Sequence, residues 1–282
     1  MKKNYNINRR KFLELFGCSC CGFITTSCGT VPITERRQLS IIPESTINRK
    51  AAQAYDKLKN SKKIKLVKEG KDLNNIINIG EKISKSVSIF FKKQGKPDPT
   101  ENFDWEYILI DDDKVKNAWC MPGGKIAFYT GILKVAKNTN GLATIMGHEI
   151  AHAVAKHSVE RMSAAMTVNV TLTISDILTG GKVSQTRNTV GRATGMDILQ
   201  LGIMNPYARK QETEADYLGL IFSSLSGYNI KESVGLWQRM AEANKGKEPP
   251  QFLSTHPSSK NRIINLKNWI NKVIIEYPPI KT

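Results

Sequence analysis

Two histidines and a glutamate in the middle of the chain have the spacing of a metal site. His148 and His152 are four residues apart, so on a helix their rings project from one face, about one turn apart. Two imidazoles placed in this way can take two corners of a tetrahedral zinc site. Glu149 follows the first histidine, where its carboxylate can reach a metal-bound water without binding the metal. The pattern predicts metal-assisted hydrolysis with Glu149 as the general base.

The segment around these residues predicts a buried helix. Its apolar residues are Leu142, Ile145, Met146, Ile150 and Val154. Ionisable side chains in such a segment are costly unless they have partners. Gly147 costs a helix about 1 kcal/mol relative to alanine, which indicates close packing against another element beside His148.

A third ligand is expected from a later helical segment that is rich in carboxylates. Glu212 and Asp216 share one helix face because they are four residues apart, whereas Glu214 points away from that face. The pair suits a zinc ligand and a carboxylate that orients a ligand histidine.

The other two histidines receive different interpretations. His157 is predicted to lie on a different helix face from His152, as an outer or surface group, and His256 lies in a Thr-His-Pro loop. A structural zinc site would close its fourth position with a protein ligand. The spare candidates for that position, Cys120 and His157, are poorly placed.

The motifs have the order of a known family. They are Gly147-His-Glu-Ile-Ala-His152, then Arg209-x-x-Glu212-x-Glu-Ala-Asp216, then Thr255-His256-Pro257 with Arg262 six residues after the histidine. Together they resemble the HtpX-like zinc metallopeptidases, a family that includes the CAAX prenyl proteases. The chain is most similar to the periplasmic lipoprotein proteases of the LoiP and BepA type and to the mitochondrial Oma type. The resemblance covers roughly residues 30 to 275.

The resemblance implies a set of site residues. One zinc ion would be bound by His148, His152 and Glu212, and Asp216 would orient a histidine ligand. His256 and Arg262 lie near the catalytic centre in the family, and the implied roles are oxyanion stabilisation and carboxylate pairing.

The resemblance also extends to Asn117-Ala118 and to Pro122-Gly-Gly124. A substrate chain is expected to lie extended against the hairpin near Asn117 and Ala118, adding a strand through backbone hydrogen bonds. This mode of binding suits unfolded or damaged proteins as substrates.

The pattern along the mature chain predicts an α+β, zincin-like fold that is mostly helical, with a small antiparallel sheet beside the active-site helix. Helices are expected within 47–91 and over 141–165, 208–226, 231–243 and 258–275, and a hairpin over 116–130. Residues 166 to 205 show no assignable pattern, and a role as a lid stays open.

The first 28 residues predict export. A basic stretch over residues 1–11 precedes a short apolar run, which is the layout of a secretory signal and too short for a membrane span. Residues 8–13 resemble a twin-arginine signal, with the Tat and Sec routes both open. Residues 24–28 resemble a bacterial lipobox, in which Cys28 is acylated and becomes the mature N-terminus. An ordinary signal peptide with incidental cysteines is the alternative.

These signals divide the chain into a signal peptide (1–27), a lipid-anchor tether (28–46) and a single metallopeptidase domain (47–282). The predicted location is the periplasmic side of the cell envelope, and Gly29 favours the outer over the inner membrane because it replaces the aspartate typical of inner-membrane lipoproteins.

The net charge of +17 has no nucleic-acid signature, because the basic residues are spread out and lack interleaved aromatics. We therefore expect no nucleic-acid partner. The prediction is an envelope endopeptidase that degrades misfolded or damaged proteins. The alternative is a lipid-anchored chaperone or binding module with a latent zinc site.

Overall fold

The computed structural model describes residues 28–167, 209–243, 250–256 and 261–281 of the 282-residue chain. The helices are α1 (Glu44–Lys59), α2 (Lys71–Lys93), α3 (Thr130–Ala136), α4 (Thr139–Val154), α5 (157–167), α6 (Arg209–Leu225), α7 (Glu232–Ala243), α8 (Phe252–Thr255) and α9 (Arg262–Glu276). The strands are β1 (Cys28–Thr30), β2 (Arg37–Leu39), β3 (Glu106–Ile110), β4 (Ala118–Met121) and β5 (Lys125–Tyr129). The predicted signal segment 1–27 and nearly all of 166–205 lie outside the described residues.

Helix α4, which carries the histidine motif, is the central element of the core. It is buried along nearly its whole length and packs against α2, α6, α7 and strand β4. Asn138 caps its first turn by accepting a hydrogen bond from the Gly141 N–H at 2.9 Å. A helix that is apolar on all sides is stable only in the interior, so the sequence alone places the motif inside the protein.

Two glycines allow the backbones of α4 and α6 to approach closely. A Cβ atom on Gly219 of α6 would lie 2.9 Å from the backbone nitrogen of His148, and one on Gly147 would lie 2.8 Å from the carbonyl oxygen of Gly219. Real Cβ atoms do not make contacts of this length with backbone. The close packing that Gly147 predicts is therefore confirmed, and it brings the carboxylates of α6 next to the histidines of α4.

A three-stranded sheet lies on the other side of α4. Strand β5 is central, with β4 antiparallel on one side and β3 parallel on the other. The β4–β5 hairpin turns at Gly123 and Gly124, whose φ angles of 81° and 87° suit glycine. The α+β zincin-like class and the antiparallel hairpin beside the active-site helix are confirmed. The parallel pairing of β3 makes the whole sheet mixed.

The segment expected to be a tether is folded onto the domain. Strands β1 and β2 form an antiparallel hairpin, and Val31 between them is only 1% exposed within the main core. The segment 28–46, assigned from the sequence as a lipid-anchor tether, therefore contains regular structure that packs on the domain. Strands of three residues are too short to show an alternating pattern, and Pro32 in the turn reads as a loop residue.

The helix predicted over residues 141–165 is broken in the middle. Helix α4 ends at Val154, and Lys156 adopts a left-handed conformation (φ 54°) before helix continues from residue 157. The break changes the direction of the chain, so helical spacing from α4 does not apply to His157. Neither Gly nor Pro marks this position, so no local sequence signal announces it.

Within the described residues, no helix is both long and apolar enough to cross a membrane.

Candidate metal centre

Four buried side chains point their ligand atoms at one place. His148, His152, Glu212 and His256 each offer an atom within 4.8 Å of the others, and all four residues are at most 3% exposed. The Nε2 atoms of His148 and His152 are 3.0 Å apart, and Glu212 oxygens lie 3.6 and 3.3 Å from them. Ligand atoms around a tetrahedral zinc lie roughly 3.3 Å from one another. The donor set and its spacing fit a zinc ion.

Helix geometry explains this convergence. His148 and His152 lie on the same face of α4, one turn apart, as their spacing requires. Glu212 lies in the first turn of α6, which reaches α4 through the Gly147–Gly219 contact. The structure therefore brings together the two histidines and the glutamate that the sequence singles out.

Glu149 is held at the edge of this cluster by strand β4. The backbone N–H of Cys120 donates to Glu149 Oε2 at 3.1 Å, while Oε1 accepts no hydrogen bond from the described residues. Burial raises the pKa of Glu149 to about 7. A buried carboxyl group whose pKa lies close to neutrality, with one oxygen left for a water molecule, has the properties of a general base.

A second group of charged residues, Asp216 and Arg262, lies beside His148. Asp216 Oδ1 lies 3.1 Å from His148 Nδ1, and Arg262 donates to the same Asp216 oxygen at 2.6 Å. Arg262 also lies 3.1 Å from Glu212 Oε2, and its guanidinium stacks on the ring of Trp237. Burial raises the pKa of Asp216 to about 6, against the opposing charge of Arg262. The Asp216 contact is with His148, a choice that the sequence left open.

His256 lies inside the donor cluster and not only beside it. Its Nδ1 is 3.2 Å from His148 Nε2 and 3.1 Å from Glu212 Oε1, and its Nε2 is 3.4 Å from Glu149 Oε1. The ring stacks on Phe252 of α8. Cys120 and His157, which the sequence analysis names as poorly placed candidates for a fourth ligand, both lie outside the donor cluster. His256 is in reach of the fourth position.

The expected substrate strand lies at the outer edge of the sheet. Ala118 begins β4, and the Asn117 carbonyl accepts a hydrogen bond from the Tyr129 N–H of β5. The Cys120 N–H points towards α4, and the Lys116 carbonyl accepts from the Phe252 N–H at 3.1 Å. Segment 250–256 therefore lies beside part of the edge at which a substrate strand is expected.

Two further residues of this region, His157 and Glu214, are more deeply buried than the sequence indicates. His157 is fully buried, and its Nδ1 lies 2.9 Å from Nδ1 of His152. The break at Lys156 brings its ring back to His152, so the predicted difference in helix face is wrong. Its position next to a ligand histidine but outside the donor cluster agrees with the expected outer group. Burial is the first cause that lowers the pKa of His157 and favours its neutral form.

Glu214 points away from the metal cluster, as its spacing requires, but it does not reach the surface. It is 7% exposed and contacts His157 Nε2 (2.9 Å), Arg36 Nε (2.7 Å) and the Thr34 hydroxyl. Burial alone would raise its pKa, but hydrogen bonds from these three partners lower the pKa to about 2. The helical spacing thus predicts the direction of Glu214 correctly but gives no sign that the side chain is buried and paired.

Comparison with known proteins agrees with this geometry. The chain matches the model of peptidase family M48 over residues 80–270. It is 30% identical over 279 residues to "Mitochondrial metalloendopeptidase OMA1" of Schizosaccharomyces pombe, covering 94% of this chain and 74% of that protein. It is 34% identical over 174 residues to the Saccharomyces cerevisiae protein of the same name, covering 60% of this chain.

A bacterial relative is more distant. The "Putative beta-barrel assembly-enhancing protease" of Vibrio cholerae is 27% identical over 179 residues, which is 62% of this chain and 36% of that protein. The matched regions span 48% of the Saccharomyces cerevisiae protein and about a third of the Vibrio cholerae protein.

Proposed function

Since the chain belongs to peptidase family M48 and is a metalloendopeptidase, we propose that it is a zinc enzyme of the bacterial cell envelope that degrades misfolded or damaged proteins. The buried donor set of His148, His152 and Glu212, with Glu149 beside it, carries this proposal. Zinc, when bound, supplies Lewis acidity that polarises a carbonyl group and makes water nucleophilic at neutral pH.

The protein's own groups supply the remaining chemistry. Glu149 takes a proton from the attacking water and passes it to the leaving amine nitrogen. The Cys120 N–H fixes Oε2, so Oε1 is the oxygen that faces the water. Asp216 contacts Nδ1 of His148, the ring nitrogen that faces away from the other donors, and Arg262 holds Asp216 in place through a hydrogen bond.

The outer edge of β4 is the proposed substrate site. An extended peptide that lies along Asn117 and Ala118 would add a strand to the sheet through backbone hydrogen bonds. Such binding requires a locally unfolded chain and depends little on side-chain identity. This favours misfolded or damaged proteins as the substrate class.

The proposed location rests on the N-terminal sequence. We place an acylated Cys28 at the mature N-terminus on the periplasmic side of the envelope, with the outer membrane favoured by Gly29. Strand β1 begins at Cys28 and its hairpin packs on the domain. A lipid at this position would hold the domain against the membrane surface without a flexible tether.

Cleavage of unfolded casein tests the enzymatic proposal. Wild type should cleave casein, a chelator should abolish the activity and zinc should restore it. Glu149→Gln should be inactive, whereas Glu101→Gln, the same substitution at an exposed position, should behave as wild type. Cleavage by Glu149→Gln at the wild-type rate would remove the assigned mechanism.

A second candidate function is favoured by the position of His256. With this residue the cluster contains four protein donors, which is the composition of a closed zinc site. The chain would then be a lipid-anchored chaperone or binding module with a latent centre. His256→Ala decides between these functions. Casein cleavage should rise if His256 closes the site, and should fall if His256 stabilises the oxyanion.

A further inference from the structure

A line of half-buried and buried polar groups runs from the turn between β1 and β2 (residues 31–36, the N-terminal turn) to the metal cluster, and the catalytic mechanism does not use it. Arg36 and Thr34 contact Glu214, Glu214 contacts His157, and His157 contacts His152. We call Thr34, Arg36, Glu214 and His157 the relay. Buried polar groups are costly unless they are paired, and each contact of the relay pairs one such group with the next.

The chemistry of the groups fixes the direction of the hydrogen bonds. Glu214 faces the guanidinium of Arg36, and a carboxylate beside a fixed positive charge accepts hydrogen bonds but donates none. His157 must therefore donate through Nε2, and a neutral imidazole that donates through Nε2 accepts through Nδ1. The partner of that acceptor is Nδ1 of His152, which consequently carries its proton there.

In this tautomer the other ring nitrogen of His152 carries no proton, so its lone pair can bind a metal. Its Nε2 lies 3.0 Å from His148 Nε2 and 3.3 Å from Glu212 Oε1, at the centre of the donor set. Only a nitrogen without a proton can bind a metal. The relay thus selects the tautomer of His152 that is competent to bind zinc.

The conformation of the N-terminal turn brings Thr34 and Arg36 to Glu214. The Val31 N–H donates to the Arg36 carbonyl at 2.8 Å, and Ile33 and Glu35 have φ angles of 70° and 54°. The left-handed region is unfavourable for a β-branched residue such as Ile33, so surrounding contacts must hold the turn.

Further contacts fix Arg36 itself. Its two terminal nitrogens donate to the two oxygens of Glu160 at 2.8 and 2.9 Å, and Gln211 donates to Glu160 at 2.7 Å. A bidentate pair of this kind fixes the plane of the guanidinium. The Nε atom is then aimed at Glu214 with little rotational freedom.

We propose that the N-terminal turn is part of the metal site. Arg36 and Thr34 hold Glu214, Glu214 holds His157, and His157 holds His152 with Nε2 towards the metal. All four are positioning residues, since none of them touches the metal position. This inference rests on the assignment of His152 as a zinc ligand in the proposed function.

Zinc affinity, measured by competition with a chromogenic chelator, tests the relay directly. His157→Leu fills the space of the ring but neither donates nor accepts, and should weaken zinc binding about 10- to 100-fold. His157→Gln offers one acceptor and one donor, as a neutral imidazole does, and should restore affinity to within a few-fold of wild type. Equal affinities for the two variants would overturn the proposal.

Arg36, the relay residue farthest from the metal cluster, has a matched control in its neighbour Arg37. Arg36→Ala should weaken zinc binding several-fold, whereas Arg37→Ala, an identical change at the exposed neighbouring position, should leave it unchanged. Arg36→Ala should have no further effect when it is added to His157→Leu, because both act through the same contact. Additive effects would show that Arg36 acts on the fold and not through His157.

The same titrations separate this inference from the proposed function. If wild type binds no zinc, or if Glu212→Ala binds zinc as tightly as wild type, the proposed function fails. If wild type binds zinc tightly and Glu212→Ala does not, while His157→Leu and Arg36→Ala remain within twofold of wild type, the relay alone fails.

Discussion

The contact between α4 and α6 is the feature of the fold on which the metal cluster depends most directly, and Gly219→Ala tests it. The added methyl group would lie 2.9 Å from the backbone nitrogen of His148 and 3.1 Å from its Cα. Both neighbours are backbone atoms of a buried helix and cannot rotate away. The two helices must separate by a few tenths of an ångström, which moves Glu212 away from the histidines of α4.

The expected change in the free energy of unfolding is a balance of two effects. Alanine is favoured over glycine in a helix by about 1 kcal/mol, whereas overpacking a tight interface costs about 1–3 kcal/mol. Because the clash is with backbone, we expect the cost to lie in the upper part of that range. Gly219→Ala should therefore be destabilised by about 1–2 kcal/mol in the metal-free protein.

Denaturant unfolding in the presence of a chelator measures this quantity without the contribution of bound metal. Gly235→Ala in α7 is the control, since its nearest contact is the flexible end of Arg239 at 3.1 Å, and it should be stabilised by up to about 1 kcal/mol. Gly219→Ala should also bind zinc more weakly than wild type. The reasoning would be refuted if both variants were stabilised equally and Gly219→Ala retained wild-type zinc affinity.

Three further outcomes follow from the site. Glu149→Gln should keep near-stoichiometric zinc by metal analysis while casein cleavage falls by several orders of magnitude, because a base and not a ligand is lost; loss of zinc would instead make Glu149 a ligand. Glu212→Ala should lose most of its zinc, whereas Asp216→Ala should bind zinc about 10- to 100-fold more weakly than wild type. If chelator titrations showed tighter zinc binding by Glu212→Ala than by Asp216→Ala, the two assigned roles would be reversed. Cys28→Ala should leave the chain uncleaved or released from membranes on fractionation, and mass spectrometry of an unmodified N-terminus at another residue would contradict acylation.

The sequence by itself determines those parts of the protein that depend on local periodicity. The four-residue spacing of His148 and His152 on an apolar helix dictates a shared, buried face. The same argument separates Glu212 from Glu214, and the structure places only Glu212 in the metal cluster. The turn at Gly123 and Gly124 was likewise readable, because the positive φ angles that glycine favours define a hairpin turn.

The tertiary structure decides every contact between distant segments. The burial of Glu214 depends on Arg36, 178 positions earlier in the chain, and no helical period relates two such residues. His157 reaches His152 only because the helix breaks at Lys156, without a Gly or Pro to mark the position.

His256 enters the donor set because α8 docks through the Phe252 N–H on the Lys116 carbonyl at the edge of β4. The parallel pairing of β3 with β5 is likewise a long-range choice. Spacing within one element therefore predicts which side chains share a face, whereas packing between elements decides what that face contacts. The metal ligands of α4 and α6 belong to the first category, and the residues that close and orient the site belong to the second.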